Sequence, residues 1–125
     1  MVTYIQTSMK FSVPFLSYIL IISSLNAYAI ENEDYYSEKF CDRLSGQTEY
    51  LLQDLSRVDC LTETHAFEVD WAEGSKVYEA IGQSLYYSSE TGKLPGILLL
   101  IRKENSEKYI RKVKRVIKAF ELPIK

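Results

Sequence analysis

Apolar and polar residues alternate along HAFEVDWA, residues 65–72, as they do in a β-strand with two different faces. Two shorter segments of similar composition precede it, TEYLL at 48–52 and RVDCLT at 57–62, and polar turns separate the three. Because consecutive strands joined by short turns usually pair, this stretch predicts an antiparallel meander. The third strand has its apolar side chains on one face and its acids on the other: Phe67, Val69 and Trp71 against Glu68 and Asp70.

Helical periodicity and one apolar run complete the pattern. Residues 31–45 and 76–89 predict helices on either side of the meander, and 106–120 predicts a basic amphipathic helix. Residues 95–103, PGILLLIRK, form a continuous apolar run that suits a strand buried on both faces. LPIK at 122–125 is compatible with the start of a last strand. The order α-β-β-β-α-β-α predicts an α/β or α+β fold with a mixed sheet flanked by helices.

Residues 1–29 differ from the rest of the chain. They contain one base, Lys10, and no acid, and the apolar stretch after Lys10 ends in the small residues Ala27 and Ala29. This is the layout of a secretory signal peptide that is cleaved after Ala29. An uncleaved membrane anchor is the alternative, although the apolar run is short for a span of ~20 residues. We therefore expect an exported protein, periplasmic or secreted, with residues 30–125 as a single domain that keeps no stable membrane association.

The net charge and the cysteine content indicate which kinds of site this chain favours. Without Lys10 the chain has 14 bases and 17 acids, and this net charge of −3 does not by itself indicate a nucleic-acid binder. In an exported chain, a disulfide between Cys41 and Cys60 is favoured over two buried free thiols. A zinc site is not favoured, because His65 is the only histidine and no C-x-x-C pair exists.

Two acids, Asp59 and Glu68, fall on neighbouring strands of the predicted meander. If these strands form a tight hairpin, the carboxylates lie near each other, where like charges repel and burial costs desolvation. A divalent cation removes that cost, and Mg²⁺ favours one or two carboxylates together with water and phosphate oxygens. The pair is therefore a candidate magnesium site for phosphodiester chemistry. The alternative is that both acids are solvent-facing positions of a half-exposed sheet.

The helix after the meander adds polar side chains on one stripe. At about 100° per residue, Lys76, Gln83 and Tyr87 project to nearly the same side, opposite the apolar stripe. A lysine there could contact a phosphate or polarise an attacking water, and the glutamine and tyrosine could hold a phosphate or a metal-bound water. An ordinary solvated helix face is the alternative interpretation.

An ordered set of six residues carries a resemblance to a known superfamily: Glu49, Asp59, Glu68, Lys76, Gln83 and Tyr87. An acid, an aspartate at a strand start, a hairpin, a glutamate and a helix with Q-x-x-x-Y resemble the PD-(D/E)XK nucleases. The Q-x-x-x-Y element is similar to the branch that contains phage lambda exonuclease and the RecB-type nuclease domains. The resemblance covers roughly residues 36–120 and implies a restriction-endonuclease-like αβββαβ core.

The resemblance also implies a metal site. Asp59 and Glu68 would bind Mg²⁺ or Mn²⁺, assisted by the backbone carbonyl of Val69. Glu49 would be a further ligand or would orient water. The implied activity is metal-dependent hydrolysis of phosphodiester bonds in DNA or RNA.

One position departs from the family pattern. The family places a lysine two residues after the glutamate, where this chain has Asp70. Lys76 would supply the amine from the following helix, and Gln83 and Tyr87 would organise the site. If Lys76 does not reach, the alternative is a catalytically inactive nuclease-fold module with a binding or structural role in the cell envelope or in a secretion or conjugation apparatus.

The last helix adds a candidate surface for nucleic acid. Its bases are concentrated on the polar side, and such a surface could follow a phosphate backbone. A solvated helix face is the alternative. The residues predicted to contact nucleic acid are Arg111, Lys112, Lys114, Arg115 and Lys118.

Overall fold

The predicted order of helices and strands is the order found in the computed structural model, which describes residues 32–125. The predicted signal peptide, residues 1–29, lies outside the described residues. Within the described part of the chain, no helix has both the length and the apolar character that a membrane span requires. The elements are α1 (Glu33–Arg43), β1 (Gln47–Leu51), β2 (Arg57–Leu61), β3 (His65–Trp71), α2 (Lys76–Thr91), β4 (Leu94–Leu100), a 3₁₀ turn (Glu104–Ser106) and α3 (Glu107–Ala119).

The sheet has the strand order β1-β2-β3-β4. The first three strands form the predicted antiparallel meander, whereas β4 lies parallel to β3. Parallel neighbours need a crossover connection, and α2 provides it between β3 and β4. The chain is therefore an α/β domain with a mixed four-stranded sheet, as the sequence pattern predicted.

Helices cover both faces of the sheet. On one face α1 packs edge-to-face through aromatic rings, with Phe40 against Phe67 and Tyr36 against Trp71 at centroid distances of 5.0 and 5.9 Å. On the other face α2 and α3 share an apolar cluster with β4, formed by Val77, Ile81, Val113, Ile97 and Leu99. The alternation of β3 therefore directs its aromatic side chains towards α1 and its acids towards α2.

Local chemistry fixes the helix ends. The side chain of Asn32 accepts a hydrogen bond from the Tyr35 N–H, which satisfies one of the free donors at the start of α1. Helix α2 ends at Gly92, whose φ of 68° lies in the left-handed region that glycine adopts without a steric cost. Both ends fall within two residues of the predicted boundaries.

Strand β4 differs from its prediction. It is an edge strand, and only Pro95 and Gly96 are fully buried, while the residues from Ile97 to Leu100 are half-buried. Its outer edge is partly covered by Lys125, whose N–H donates to the Pro95 carbonyl and whose carbonyl accepts from the Ile97 N–H. The last residues therefore pair with β4 without forming a strand of their own.

The predicted disulfide between Cys41 and Cys60 is present and ties α1 to β2. Both cysteines are fully buried. A Cβ atom on Gly46 would lie 2.7 and 2.8 Å from the two sulfurs, so the disulfide packs directly against this glycine. A disulfide is what an extracytoplasmic environment allows, and the domain is consistent with such a location.

Replacing Gly46 with alanine should lower the free energy of unfolding by about 1–3 kcal/mol, because the added methyl group overpacks the disulfide. Urea unfolding measures this. The matched control is Gly82→Ala, where a Cβ meets nothing within 4 Å inside α2. That variant should be more stable than the wild type by up to about 1 kcal/mol.

The same measurement in a Cys41→Ala/Cys60→Ala background isolates the contact. Loss of the disulfide itself should cost about 3 kcal/mol, since it closes a loop of about 20 residues. In that background Gly46→Ala should lower the free energy of unfolding by much less, because the two sulfur atoms that the added methyl group would meet are absent. An equal cost in both backgrounds would contradict the packing account.

Candidate functional site

The pairing of strand β2 with both neighbouring strands is interrupted at Asp59. The ladder with β1 skips Glu49, whose φ of 53° lies in the left-handed region. The ladder with β3 ends at the pair Cys60–Phe67, one step before Asp59. Instead of a backbone carbonyl, the Asp59 carboxylate accepts a hydrogen bond from the Val69 N–H at 2.7 Å. A carboxylate thus replaces a backbone acceptor where the two strands separate.

A groove opens at this interruption. Its volume is about 740 Å³, and residues of α1, of strands β1, β2 and β3, of the β1–β2 turn and of α2 line it. We call it the acidic groove, because six acids line it and Arg57 is the one base among its described lining residues. The six acids are Glu33, Asp34, Glu38, Glu49, Asp59 and Glu68.

Glu68 is the most deeply placed of these acids, with 5% of its surface exposed. Its Oε2 atom is buried and has no hydrogen-bond partner within residues 32–125. Burial, and then the charge of Asp59, raise the pKa of Glu68 to about 9. A buried polar atom without a partner normally costs free energy. Glu68 therefore holds a proton at neutral pH, and one of its oxygens makes no hydrogen bond within the described part of the chain.

Asp59 lies beside Glu68, because one further step of the β2–β3 register would pair them. Burial raises the pKa of Asp59 to about 6, and the negative charge of Glu49 adds to this, while the hydrogen bond from Val69 opposes it. Val69 thus supports Asp59 through its N–H. The two acids predicted as a metal pair are brought together.

Lys76, the first residue of α2, lies next to Asp70. Its Nζ lies 2.7 Å from Asp70 Oδ1 and 3.7 Å from Glu33 Oε2. The hydrogen bond to buried Asp70 raises the pKa of Lys76, so its amine stays protonated. Lys76 is not among the residues that line the acidic groove. Its amine nevertheless lies beside the position where the superfamily pattern has its lysine.

Gln83 and Tyr87 both line the acidic groove. Gln83 is exposed and donates to the Tyr87 hydroxyl at 3.4 Å. Tyr87 is buried and belongs to an apolar cluster, so the predicted polar stripe of α2 is only partly solvated. Burial, and then the charge of Glu68, raise the pKa of Tyr87 to about 12. Its hydroxyl is therefore a hydrogen-bond donor near the carboxylates.

Two residues of this region were missed by the sequence analysis, Glu33 and Arg57. Burial, and then hydrogen bonding to Asp70, raise the pKa of Glu33 to about 7. In the sequence it is an ordinary acid in the first turn of a helix, where acids are favoured anyway. Arg57 pairs with Glu49 at 2.7 Å, and only the strand pairing brings them together.

The bases predicted to contact nucleic acid lie exposed on α3: Arg111, Lys112, Lys114, Arg115 and Lys118. Arg111 pairs with Glu107 one turn earlier, and the Lys112 amine lies over the Tyr109 ring. These five bases are not among the residues that line the acidic groove.

Comparisons with protein-family models, with curated proteins and with solved structures found no match to this chain. The class that the fold defines is an α/β domain with a four-stranded mixed sheet flanked by helices. Functional inference therefore depends on the geometry of the acidic groove.

Any cation in the groove would have few protein ligands. Within residues 32–125, no group of three or more His, Cys, Asp and Glu side chains is arranged to hold a metal ion. Mg²⁺ commonly uses one or two carboxylates and completes its shell with water and phosphate oxygens. Asp59 and Glu68 are the two carboxyl groups that could hold such an ion.

The Glu68→Gln variant should become more stable than the wild type as pH rises, in the presence of a chelator. Below about pH 4.5 the Glu68 carboxyl is protonated in both the folded and the unfolded chain, so it costs nothing. Between about pH 4.5 and 9 the unfolded chain releases a proton that the folded chain keeps, so wild-type stability falls. Glutamine removes this dependence.

Urea unfolding at about pH 4.5, 7 and 9 measures the effect. The control is Glu104→Gln, an exposed acid outside the groove, which should change the free energy of unfolding by less than about 0.5 kcal/mol. Parallel stability curves for the wild type and Glu68→Gln across this range would show that Glu68 is not held protonated.

Proposed function

We propose that this protein is an exported, Mg²⁺-dependent nuclease that hydrolyses phosphodiester bonds of DNA or RNA. The observation that carries the proposal is the adjacent pair of half-buried Asp59 and buried Glu68, in which the Oε2 atom of Glu68 has no hydrogen-bond partner among the described residues. The proposal places the protein in the PD-(D/E)XK superfamily, in the branch with Q-x-x-x-Y. Its location would be periplasmic or secreted.

The arrangement of elements supports the proposal. The superfamily core has the order αβββαβ, and this chain has that order followed by a further helix. Asp59 and Glu68 fall on the second and third strands, and Gln83 and Tyr87 fall on the helix after them. The element order and the relative positions of these four residues are thus those expected of the family.

In this proposal Asp59 and Glu68 hold the cation. Mg²⁺, or Mn²⁺ in its place, would supply an activated water and would neutralise charge on the phosphate. Glu68 must give up its proton to bind, so the raised pKa of Glu68 makes metal binding depend on pH. Tyr87 and Gln83 line the same groove and would donate hydrogen bonds to a phosphate oxygen or a water.

Lys76 takes an electrostatic role in the proposal. Because its pKa is raised, the protonated amine cannot accept a proton from water at neutral pH. Its positive charge, held by Asp70, can stabilise a developing negative charge. Asp70 thus anchors the amine that the family pattern would otherwise have at position 70.

A second function is favoured by another observation. Lys76 already pairs with Asp70 and Glu33, and the described residues that line the acidic groove include six acids and one base. This charge opposes the entry of a polyanion. The second candidate is therefore a nuclease fold without activity, serving as a binding or structural module of the cell envelope or of a secretion or conjugation apparatus.

Asp59→Asn and Glu68→Gln should each abolish Mg²⁺-dependent cleavage of DNA or RNA by purified residues 30–125. Each change keeps the side-chain volume while it removes a carboxylate ligand, so the loss should be at least about 100-fold. Gel assays of labelled single- and double-stranded substrates measure it. Circular dichroism should show that both variants remain folded.

Glu63→Gln is the matched control, because Glu63 is exposed in the β2–β3 turn and does not line the groove. It should cleave like the wild type. If the wild-type domain leaves every DNA and RNA substrate intact with Mg²⁺ and with Mn²⁺, the nuclease proposal is wrong.

Magnesium should stabilise the wild-type domain if the carboxyl pair binds it. For a dissociation constant of about 1 mM, roughly 10 mM Mg²⁺ should add about 1.4 kcal/mol to the free energy of unfolding. Thermal unfolding with and without Mg²⁺ measures this, and Glu68→Gln should show no such gain. An unchanged wild-type melting temperature would favour the inactive module.

A further inference from the structure

Acids and bases are unevenly divided along this chain. Residues 32–101 contain 13 acids and 5 bases, whereas residues 102–125 contain 3 acids and 9 bases. The acidic groove includes residues of β1, and α3 packs against β4. Because β1 and β4 are the two edge strands of the sheet, the negative and the positive surface lie at opposite edges. They therefore do not neutralise each other within one copy of the chain.

Helix α1 borders the acidic groove with acids that have no basic partner. Asp34 and Glu38 are exposed, line the groove and stand four residues apart, so they share one side of the helix. Neither forms an ion pair within residues 32–125. Glu68 lines the same groove, and its Oε2 atom also lacks a partner there. A basic side chain that enters the groove would supply the positive charge and the hydrogen-bond donors that this surface lacks.

Helix α3 has the same arrangement with the opposite charge. Of its exposed bases only Arg111 forms an ion pair within the described part of the chain, with Glu107. Like charges four residues apart on a helix repel each other, and no interleaved acids offset this on the exposed side of α3. The surface is therefore suited to an acidic partner. Three pairs of bases stand four residues apart on it: Lys108 and Lys112, Arg111 and Arg115, and Lys114 and Lys118.

The acidic groove has room for side chains but not for a whole helix. Helix α3 has 13 residues, so it is about 20 Å long and, with its side chains, about 10 Å wide. A cylinder of that size exceeds the groove volume of about 740 Å³. Contact would therefore be made at the rim, by long basic side chains that reach the acids. The equal spacing of charges on α1 and α3 allows two ion pairs to form at once.

We propose that the basic side of α3 docks against the acidic groove of a second copy of this chain. The two surfaces have complementary charge and matching spacing, and they lie at opposite edges of the domain. Each copy in such a contact keeps one free groove or one free helix, so the association is head-to-tail and continues beyond a dimer. The neighbouring helix would cover the groove, as suits a structural module. The inference does not rest on nuclease activity.

Sedimentation velocity of residues 30–125 tests the self-association. Exposed ion pairs are individually weak, so the protein is examined up to about 1 mM in about 20 mM salt. We expect the sedimentation coefficient to rise with protein concentration and to pass the value of a dimer. In about 0.5 M salt it should return to the value of the monomer, because salt screens exposed charges.

Two double variants each remove the charge of one surface. Lys114→Gln/Lys118→Gln changes the helix, and Asp34→Asn/Glu38→Gln changes the groove. Each should weaken self-association about threefold to tenfold, since two exposed ion pairs are lost. Circular dichroism should show that both variants remain folded.

Matched controls remove the same number of charges elsewhere. Lys39→Gln/Arg43→Gln neutralises two exposed bases four residues apart on α1, and neither residue lines the groove. Glu63→Gln/Glu90→Gln neutralises two exposed acids outside the groove. Both controls should associate at least as strongly as the wild type.

Mixing the two surface variants determines which surfaces meet. The helix variant keeps an intact groove, and the groove variant keeps an intact helix. Together they should form a one-to-one pair with the affinity of the wild-type contact, and this pair should not grow further. A mixture that associates no more strongly than either variant alone would overturn the inference.

The other outcomes are equally specific. A wild-type domain that stays monomeric at low salt would overturn the inference, even if α3 then bound anionic vesicles or an oligonucleotide. Equal weakening in the surface variants and in the controls would also overturn it, since that would indicate a general charge effect. Cleavage of nucleic acid is measured separately. Failure of the nuclease proposal is therefore distinguishable from failure of this one.

Discussion

Burial of carboxyl groups beside one another is the constraint on which the rest of this domain depends. Glu68 and Asp70 are buried on the α2 side of the sheet, and Asp59 lies in the gap between two strands. Lys76 offsets only part of this charge, through Asp70 and Glu33. Protonation avoids much of the remaining electrostatic cost, because the raised pKa of Glu68 keeps this side chain neutral at physiological pH. A divalent cation in the groove would remove that cost directly.

The scaffold explains how such a site is tolerated. The disulfide anchors β2 to α1, and Gly46 allows its sulfurs to pack against the chain. Aromatic contacts hold β3 against the same helix. Because α1 holds both β2 and β3 in place, the hydrogen-bonded pairing of these strands can end before Asp59 without loss of the fold. Marginal stability in a small domain makes such supports valuable, because unfavourable polar burial consumes a large share of the net stability.

Much of the fold was predictable, because alternation and helical periodicity directly report which side of an element is buried. The proximity of Asp59 and Glu68 was predictable from the hairpin, although the strand pairing ends one step before these two residues. The surroundings of individual side chains were harder to predict from the sequence. Tyr87 projects with the polar side of α2 but is buried, and Glu33 and Arg57 join the groove only through tertiary contacts. The spacing of residues along the chain does not show which charged side chains of distant segments meet, so the contact of Lys76 with Glu33 could not be predicted.

In the cation site that we propose for Asp59 and Glu68, the Glu68 carboxyl is protonated at neutral pH as long as no metal is bound. Isothermal titration calorimetry of residues 30–125 with Mg²⁺, at about pH 7 in buffers of different ionisation enthalpy, counts the protons released on binding. The account predicts roughly one proton per Mg²⁺, because Glu68 must ionise as it becomes a ligand. Magnesium binding with no proton release, or no binding heat in any buffer, would contradict it.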